Sequence, residues 1–310
     1  MAAVTAAMVK QLREDTGAGM MECKKALAET DGDMEAAVEY LRKNGQAKAE
    51  KKAGRIAAEG LCDVAIEGNN AAVVEVNSET DFVANNADFR AYVGKVAAAA
   101  LKTDAADIDA FLNDKWPEDT SKTVKEALTD EIAVISENLS IRRFKKVSAT
   151  DGAVVSYIHA GGKIAVLVHG ACGNVTDDVR EALKNVAMQI AAMNPKYVSD
   201  ADVDQEFLEH EKEIIMAQIE NDPKEAAKPQ NVKEGMVKGR LSKELKEVCL
   251  LDQIYVKAED GKQSVQKYLE AVSKNNGTDL KIVEFVRFET GEGIEKKQEN
   301  FAEEVAKQIQ

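Results

Sequence analysis

The side chains best suited to ligate a metal or attack a substrate are few. His159, His169 and His210 form no recognisable ligand motif, and Cys23, Cys62, Cys172 and Cys249 lie far apart with no CxxC pair, as buried, reduced thiols do. Gly161-Gly162-Lys163 hints at a phosphate loop. Tyr157, however, stands where the first glycine of GxxxxGK[ST] is required, and Ile164 stands where Ser or Thr would bind magnesium, so a hairpin turn is expected instead. There is no GxSxG nucleophile elbow and no GxGxxG fingerprint. Carboxylates are too abundant for any pair to be singled out. The chain is therefore expected to have no catalytic residues, no metal site and no cofactor. One segment is chemically distinctive: Thr80-Asp81-Phe82-Val83 sets a large aromatic beside a carboxylate in a polar stretch that precedes a helix. Either Thr80 or Asp81 caps the helix and Phe82 enters the core, or Phe82 is an exposed anchor for a partner's pocket.

The elements that must position this segment are readable from periodicity. Three short helices are expected over 1–54. Thr5 caps the first, which ends before Gly17-Ala18-Gly19; Met20 to Glu29 forms the second; the third has Met34, Ala37, Val38 and Leu41 on one face and stops near Asn44-Gly45. Lys48 to Arg55 reads as an exposed helical linker. Beyond Gly60 the pattern alternates. Leu61 to Ile66, the turn Gly68-Asn69-Asn70 and Ala72 to Val76 form a hairpin. Ala153 to Ile158, Gly161-Gly162 and Ile164 to Val168 repeat it, and each hairpin precedes a helix, Phe89 to Leu101 and Val179 to Met193. This predicts an internal duplication, with first subdomain 55–149 and second 150–290. Val124, Leu128, Ile132, Ile135 and Leu139 mark a helix between the copies.

Within the second copy, 200–248 reads as an antiparallel helical hairpin. Its outgoing seam is Val203, Phe207, His210, Ile214 and Ala217; the return seam is Val237, Leu241, Leu245 and Val248, with Pro223 and Pro229 between them. Leu250 to Val256 predicts a strand, Val265 to Lys274 a helix and Ile282 to Phe288 a strand. Glu295 to Gln310 predicts a terminal helix within a C-terminal module, 291–310. The fold class expected is α+β.

Composition narrows the partners. At 310 residues, two or three domains are expected. The formal net charge of −14 opposes nucleic acid and anionic membranes. A protein partner is the easier inference. No apolar run approaches the roughly 18 residues of a membrane span, and the start of the chain lacks a secretory pattern. A cytoplasmic protein is expected.

Several stretches together resemble the bacterial elongation factor Ts family. Glu75-Val76-Asn77 followed by Thr80 to Ala84 and Asn86 is similar to its signature CExNxETDFVAxN. Leu12 to Leu27, the Asp31-Gly32-Asp33 turn, Glu137-Asn138, Arg142-Arg143, Tyr157-Ile158-His159 and Leu250 to Gln253 agree in order, so the likeness covers nearly the whole chain. Asn85, where a basic residue is frequent, and Ser136 and Ala165, where glycine is frequent, depart from the pattern. Lys102 to Asp119, around Trp116-Pro117, matches no motif.

The resemblance implies a ubiquitin-associated-like three-helix module, a duplicated α+β core with an inserted helical hairpin, and a C-terminal helical module. It also implies a guanine-nucleotide exchange factor for elongation factor Tu. In that role Thr80, Asp81, Phe82 and Val83 dislodge magnesium so that GDP leaves and GTP follows, and Arg13, Met20, Met21 and His159 are further contacts. Homodimerisation stays open. The rival readings are an adaptor built on the three-helix start, a nucleic-acid chaperone and an enzyme without a recognisable site.

Overall fold

Thr5 accepts a hydrogen bond from the Met8 amide and opens α1 (Ala6–Thr16), which Gly17 ends at φ 67°. α2 (Met20–Glu29) follows, and the Asp33 carboxylate caps α3 (Met34–Lys52) at the Ala36 amide. Their shared core is Val9, Leu12, Cys23, Ala26, Leu27 and Ala37. The computed structural model describes residues 4–295. The terminal helix expected from Glu295 to Gln310 lies, beyond Glu295, outside the described residues.

The first repeat runs β1 (Glu59–Glu67), β2 (Asn70–Ser78), α4 (Asp81–Ala84), α5 (Ala87–Lys102) and α6 (Ile108–Asn113). A small hairpin of β3 (Lys115–Trp116) and β4 (Asp119–Thr123), then α7 (Val124–Ile135) and β5 (Ser140–Ser148), complete it. The second runs β6 (Ala153–His159), β7 (Ile164–Ala171), α8 (Asp177–Met193), α9 (Gln205–Asn221), α10 (Pro223–Ala226), α11 (Gln230–Val248), α12 (Val265–Asn276) and β8 (Lys281–Glu289). Both sheets are antiparallel, ordered β1-β2-β5 and β6-β7-β8. The chain thus belongs to the expected α+β class.

The repeats agree in detail. Each middle strand carries a bulge against its third strand, between Glu75 and Val76 and between His169 and Gly170. Each first strand is entered through a glycine crowded by that bulge. A Cβ on Gly60 would lie 2.2 Å from the Val76 carbonyl oxygen, and one on Gly152 1.9 Å from that of Gly170, so neither position admits a side chain.

The two sheets pack face to face through Cys62, Val73 and Val147 against Val154, Leu167 and Phe288. α5 covers the outer face of the first with Phe89, Val93 and Val96; α8 covers the second with Leu183, Val186 and Ile190. Burial on both faces explains why β2 reads as an almost continuous apolar run. Fully buried Phe89 alone contributes about 1.5–3 kcal/mol.

Four local expectations are corrected. α3 does not stop at Asn44-Gly45 but continues to Lys52, taking in most of the expected linker. Gly45 is buried where α3 crosses α7, with space for a Cβ 3.5 Å from that of Ala133; this packing offsets the roughly 1 kcal/mol that a glycine costs a helix. α7 ends at Ile135 because Ser136 turns to φ 66°, so Leu139 joins the first core from outside the helix. In α9 the buried seam is Leu208, Ile215 and Ile219, against Val237, Leu241 and Leu245 of α11. Adjacent Ile214 and Ile215 make two seams equally periodic, and Phe207 instead meets Tyr197 edge-on at 5.6 Å. Leu250 to Val256 is no strand: Leu250 and Tyr255 are drawn into the second core, bending the chain into a single 3-10 turn at Leu250–Asp252.

One ionisable group on α7 is held at a cost. Burial, reinforced by Asp88 and opposed by Lys95, pushes the Glu131 carboxyl up to about 7. Its folded value lies above its unfolded one, so stability is lost as pH rises from 4.5 through 7. Glu131→Gln is expected to gain about 1 kcal/mol at pH 8 and nothing at pH 4. Urea midpoints at the two pH values check this, and an equal gain at both would contradict it.

Candidate functional site

β2 runs into a turn whose backbone is gripped from the far side of the first repeat. Glu137, just before β5, accepts from the Glu79 and Thr80 amides at 3.0 Å each through Oε2, and from the Thr80 hydroxyl at 2.6 Å through Oε1. Glu79 returns the contact, its Oε1 accepting from the Asn138 amide at 2.6 Å. Ser78 donates to the Thr80 carbonyl at 2.9 Å. Thr80 also caps α4 by accepting from the Val83 amide. Besides the Thr80 cap, five hydrogen bonds from the side chains of Glu137, Glu79 and Ser78 therefore fix the base of a single helical turn.

What that turn carries decides between the two readings of the segment. Val83 is half-buried against the first core and Ala84 is buried, whereas Asp81 is exposed and Phe82 is 84% exposed. Capping and exposure coexist: Thr80 caps, yet Phe82 does not enter the core. An aromatic side chain held in water on a fixed base has the form of an anchor for another surface. Among the described residues no group of three or more His, Cys, Asp or Glu side chains could hold a metal ion.

His159, exposed at the end of β6, approaches the same region from the second repeat. Its Nδ1 lies 3.0 Å from the Tyr157 hydroxyl. Arg90 of α5 spans the gap, with Nη2 donating to the Gly161 carbonyl at 2.9 Å and reaching Asn85 Oδ1 at 3.5 Å. Thr80 to Val83 and His159 are thus brought into one neighbourhood. Arg13, Met20 and Met21 are not. They are exposed on α1 and α2 of the three-helix module, Met21 at 73%, and no hydrogen bond or ion pair among the described residues joins them to the Phe82 turn. That module rests on α7 through α3.

Beneath the site lies a buried carboxylate. Glu75, fully inaccessible, accepts from Asn77 Nδ2 and Arg142 Nη1 at 3.0 Å, from the Gly291 amide at 2.8 Å and from Arg143 Nε at 2.6 Å. Burial acts to raise its pKa, but the Gly291 amide, Asn77 and Arg143 outweigh it and hold the carboxyl below 4.5. Arg143 lies over the Phe288 ring at 4.2 Å, so the network ties the two sheets together. Sequence shows Glu137 and Glu75 only as letters of matching motifs, with no sign of the partners they hold. Arg90 carries no signal at all.

The elongation factor Ts family model matches residues 79–292. The chain is 53% identical over 311 residues to elongation factor Ts of Clostridioides difficile (strain 630), covering 100% of each. It is also 53% identical to that of Clostridium perfringens (strain SM101 / Type A), over 98% of each.

The chain belongs to the elongation factor Ts family.

Membership makes it a translation elongation factor concerned with nucleotide exchange. Among the described residues no helix is long and apolar enough to cross a membrane.

The grip on the turn can be tested without any partner. Glu137→Gln replaces an acceptor oxygen with an amide that faces donors, and leaving such groups unmet costs about 1–3 kcal/mol. The amides of Glu79 and Thr80 are expected to exchange hydrogen about ten- to a hundredfold faster, while those of α8 are unchanged. Unchanged protection at Glu79 and Thr80 would contradict the assignment.

Proposed function

We propose that the chain binds elongation factor Tu and speeds release of its GDP by pressing Phe82 between elements of the GTPase that hold Mg2+. GDP phosphates without the cation are poorly compensated, so nucleotide binds weakly and GTP follows from its excess. Asp81, exposed beside Phe82, presents a carboxylate to the groups displaced; Thr80 and Val83 hold the pair in place. Arg13, Met20, Met21 and His159 are proposed as further contacts, which spread binding over both the module and the core. Because binding free energies are linked, nucleotide must weaken the factor by as much as the factor weakens nucleotide.

The observation that carries this reading is Phe82, 84% exposed on a turn gripped at its base. No covalent step is asked of the chain, which acts by protein binding in the cytoplasm. Nucleic acid has no part in it, as the charge of −14 suits. The test is release of labelled GDP from purified elongation factor Tu in excess unlabelled nucleotide. Catalytic amounts of the chain are expected to raise the rate many-fold, and an unchanged rate overturns the proposal.

A further inference from the structure

Three consecutive residues after His159, namely Ala160, Gly161 and Gly162, run at φ 48°, 65° and 105°. An L-residue such as Ala160 adopts this only where the surroundings enforce it. The enforcement comes from the first repeat. A Cβ on Gly162 would lie 2.9 Å from Leu61 Cβ and 3.1 Å from the Cys62 carbonyl oxygen, so this turn of the second repeat is pressed onto β1. Lys163 pairs with Glu59, and the Thr290 hydroxyl donates to the Gly162 carbonyl at 3.2 Å.

Arg90 extends this seat to the Phe82 turn. Its Nη2 serves both Gly161 O and Asn85 Oδ1. Asn85 in turn grips the carbonyls that Phe82 and its neighbour present: its amide donates to Asp81 O and Phe82 O at 3.1 and 3.2 Å, and its Nδ2 donates to Asp81 O at 3.0 Å. An unbroken hydrogen-bonded path therefore runs from the His159 turn through Arg90 and Asn85 to Phe82. Asn85 matters to this path because it supplies an acceptor; a basic side chain there would repel the guanidinium.

We propose that Arg90 is a positioning residue that clamps the Phe82 turn of one repeat to the His159 turn of the other, so that both meet the partner as one preformed surface. This rests on the functional reading above. Two anchors that move independently must be ordered at each encounter, at a cost in affinity, whereas a clamped pair is already ordered. Loss of the clamp should therefore act on the concentration dependence of exchange more than on its maximal rate.

The clamp is tested first without the partner. Spin labels on Phe82→Cys and His159→Cys, with the four native cysteines buried, are expected to give a narrow distance distribution that broadens in Arg90→Ala and in Asn85→Lys. A distribution unchanged in both overturns the proposal. GDP release is then measured against factor concentration. Arg90→Ala is expected to raise the half-saturating concentration about three- to tenfold while the maximal rate stays within about twofold. The combined effect of Phe82→Ala and His159→Ala, non-additive in the native background, should become additive without Arg90. Equal additivity in both backgrounds, or an unmoved half-saturating concentration in Arg90→Ala that retains native melting, overturns it. If the native chain fails to release GDP, the functional reading falls, and the spin-label distances alone decide the clamp.

Discussion

Phe82→Ala is expected to lower the maximal rate of GDP release about thirtyfold or more, and to leave the stability of the chain within about 0.5 kcal/mol of the native value. The two halves of this expectation have one source. A side chain that is 84% exposed contributes almost nothing to the core, so its removal leaves no cavity; truncating a buried phenylalanine would cost about 3–5 kcal/mol. A large aromatic that fills a partner's pocket, by contrast, is worth about 2 kcal/mol or more, which is roughly thirtyfold in rate if the contact is made as nucleotide leaves. Phe82→Leu should keep part of the activity, since it keeps part of the volume. Asp81→Asn separates charge from shape at the neighbouring position. Native exchange by Phe82→Ala would show that the turn is a bystander; a large loss of stability would show that it is a structural element after all.

The geometry around Phe82 explains why its exposure was undecidable from the segment alone. Thr80 has the residue type and spacing of a cap, and it caps. Whether the residue two positions on turns inward depends on what the turn is anchored to, and that anchor, Glu137, lies 57 residues from Thr80. Local patterns carried the stop at Gly17, the start at Asp33 and both hairpins, though not the end of α3, because Gly17, Asp33 and the alternating strands act within a few residues. They failed at β5. Its Arg142-Arg143-Phe144-Lys145-Lys146 run is an edge strand whose two arginines are satisfied by Glu75 across the sheet, a pairing with no trace in alternation. They failed also over Lys102 to Asp119, where Trp116 is buried against Tyr92 at 5.8 Å in a hairpin too short to show a period. Family likeness filled these gaps for the site but not for its supports: Glu75, Glu137 and the arginine pair were visible as matching letters, and only the fold gave them partners.

Glu75→Gln is expected to cost about 3 kcal/mol at pH 7, more than any other single substitution considered above. The carboxylate is fully buried, and the neutral amide leaves Arg142 without its counter-charge and Arg143 with Glu292 alone, at 2.9 Å; that remaining pair and the 30% exposure of both arginine side chains place the loss at the low end for a broken buried pair. The pH dependence distinguishes this cause from loss of shape. The folded carboxyl titrates below its ordinary value of 4.5, so its contribution is fully present above 4.5 and is lost as pH falls through the folded value. The native chain should therefore weaken in acid faster than Glu75→Gln, and their urea midpoints should converge as pH is lowered from 7 to 3. Midpoints that run parallel over this range would refute an electrostatic role. The same network sets the register of β2 against β5, and these strands deliver Thr80 and Glu137 to each other. Exchange activity per folded molecule should nonetheless stay near native where Glu75→Gln remains folded, because the contacts that grip the Phe82 turn come from Glu137, Glu79 and Ser78 and are untouched. Stability and exchange would then be supported by two distinct carboxylates, Glu75 beneath the sheet and Glu137 beneath the turn.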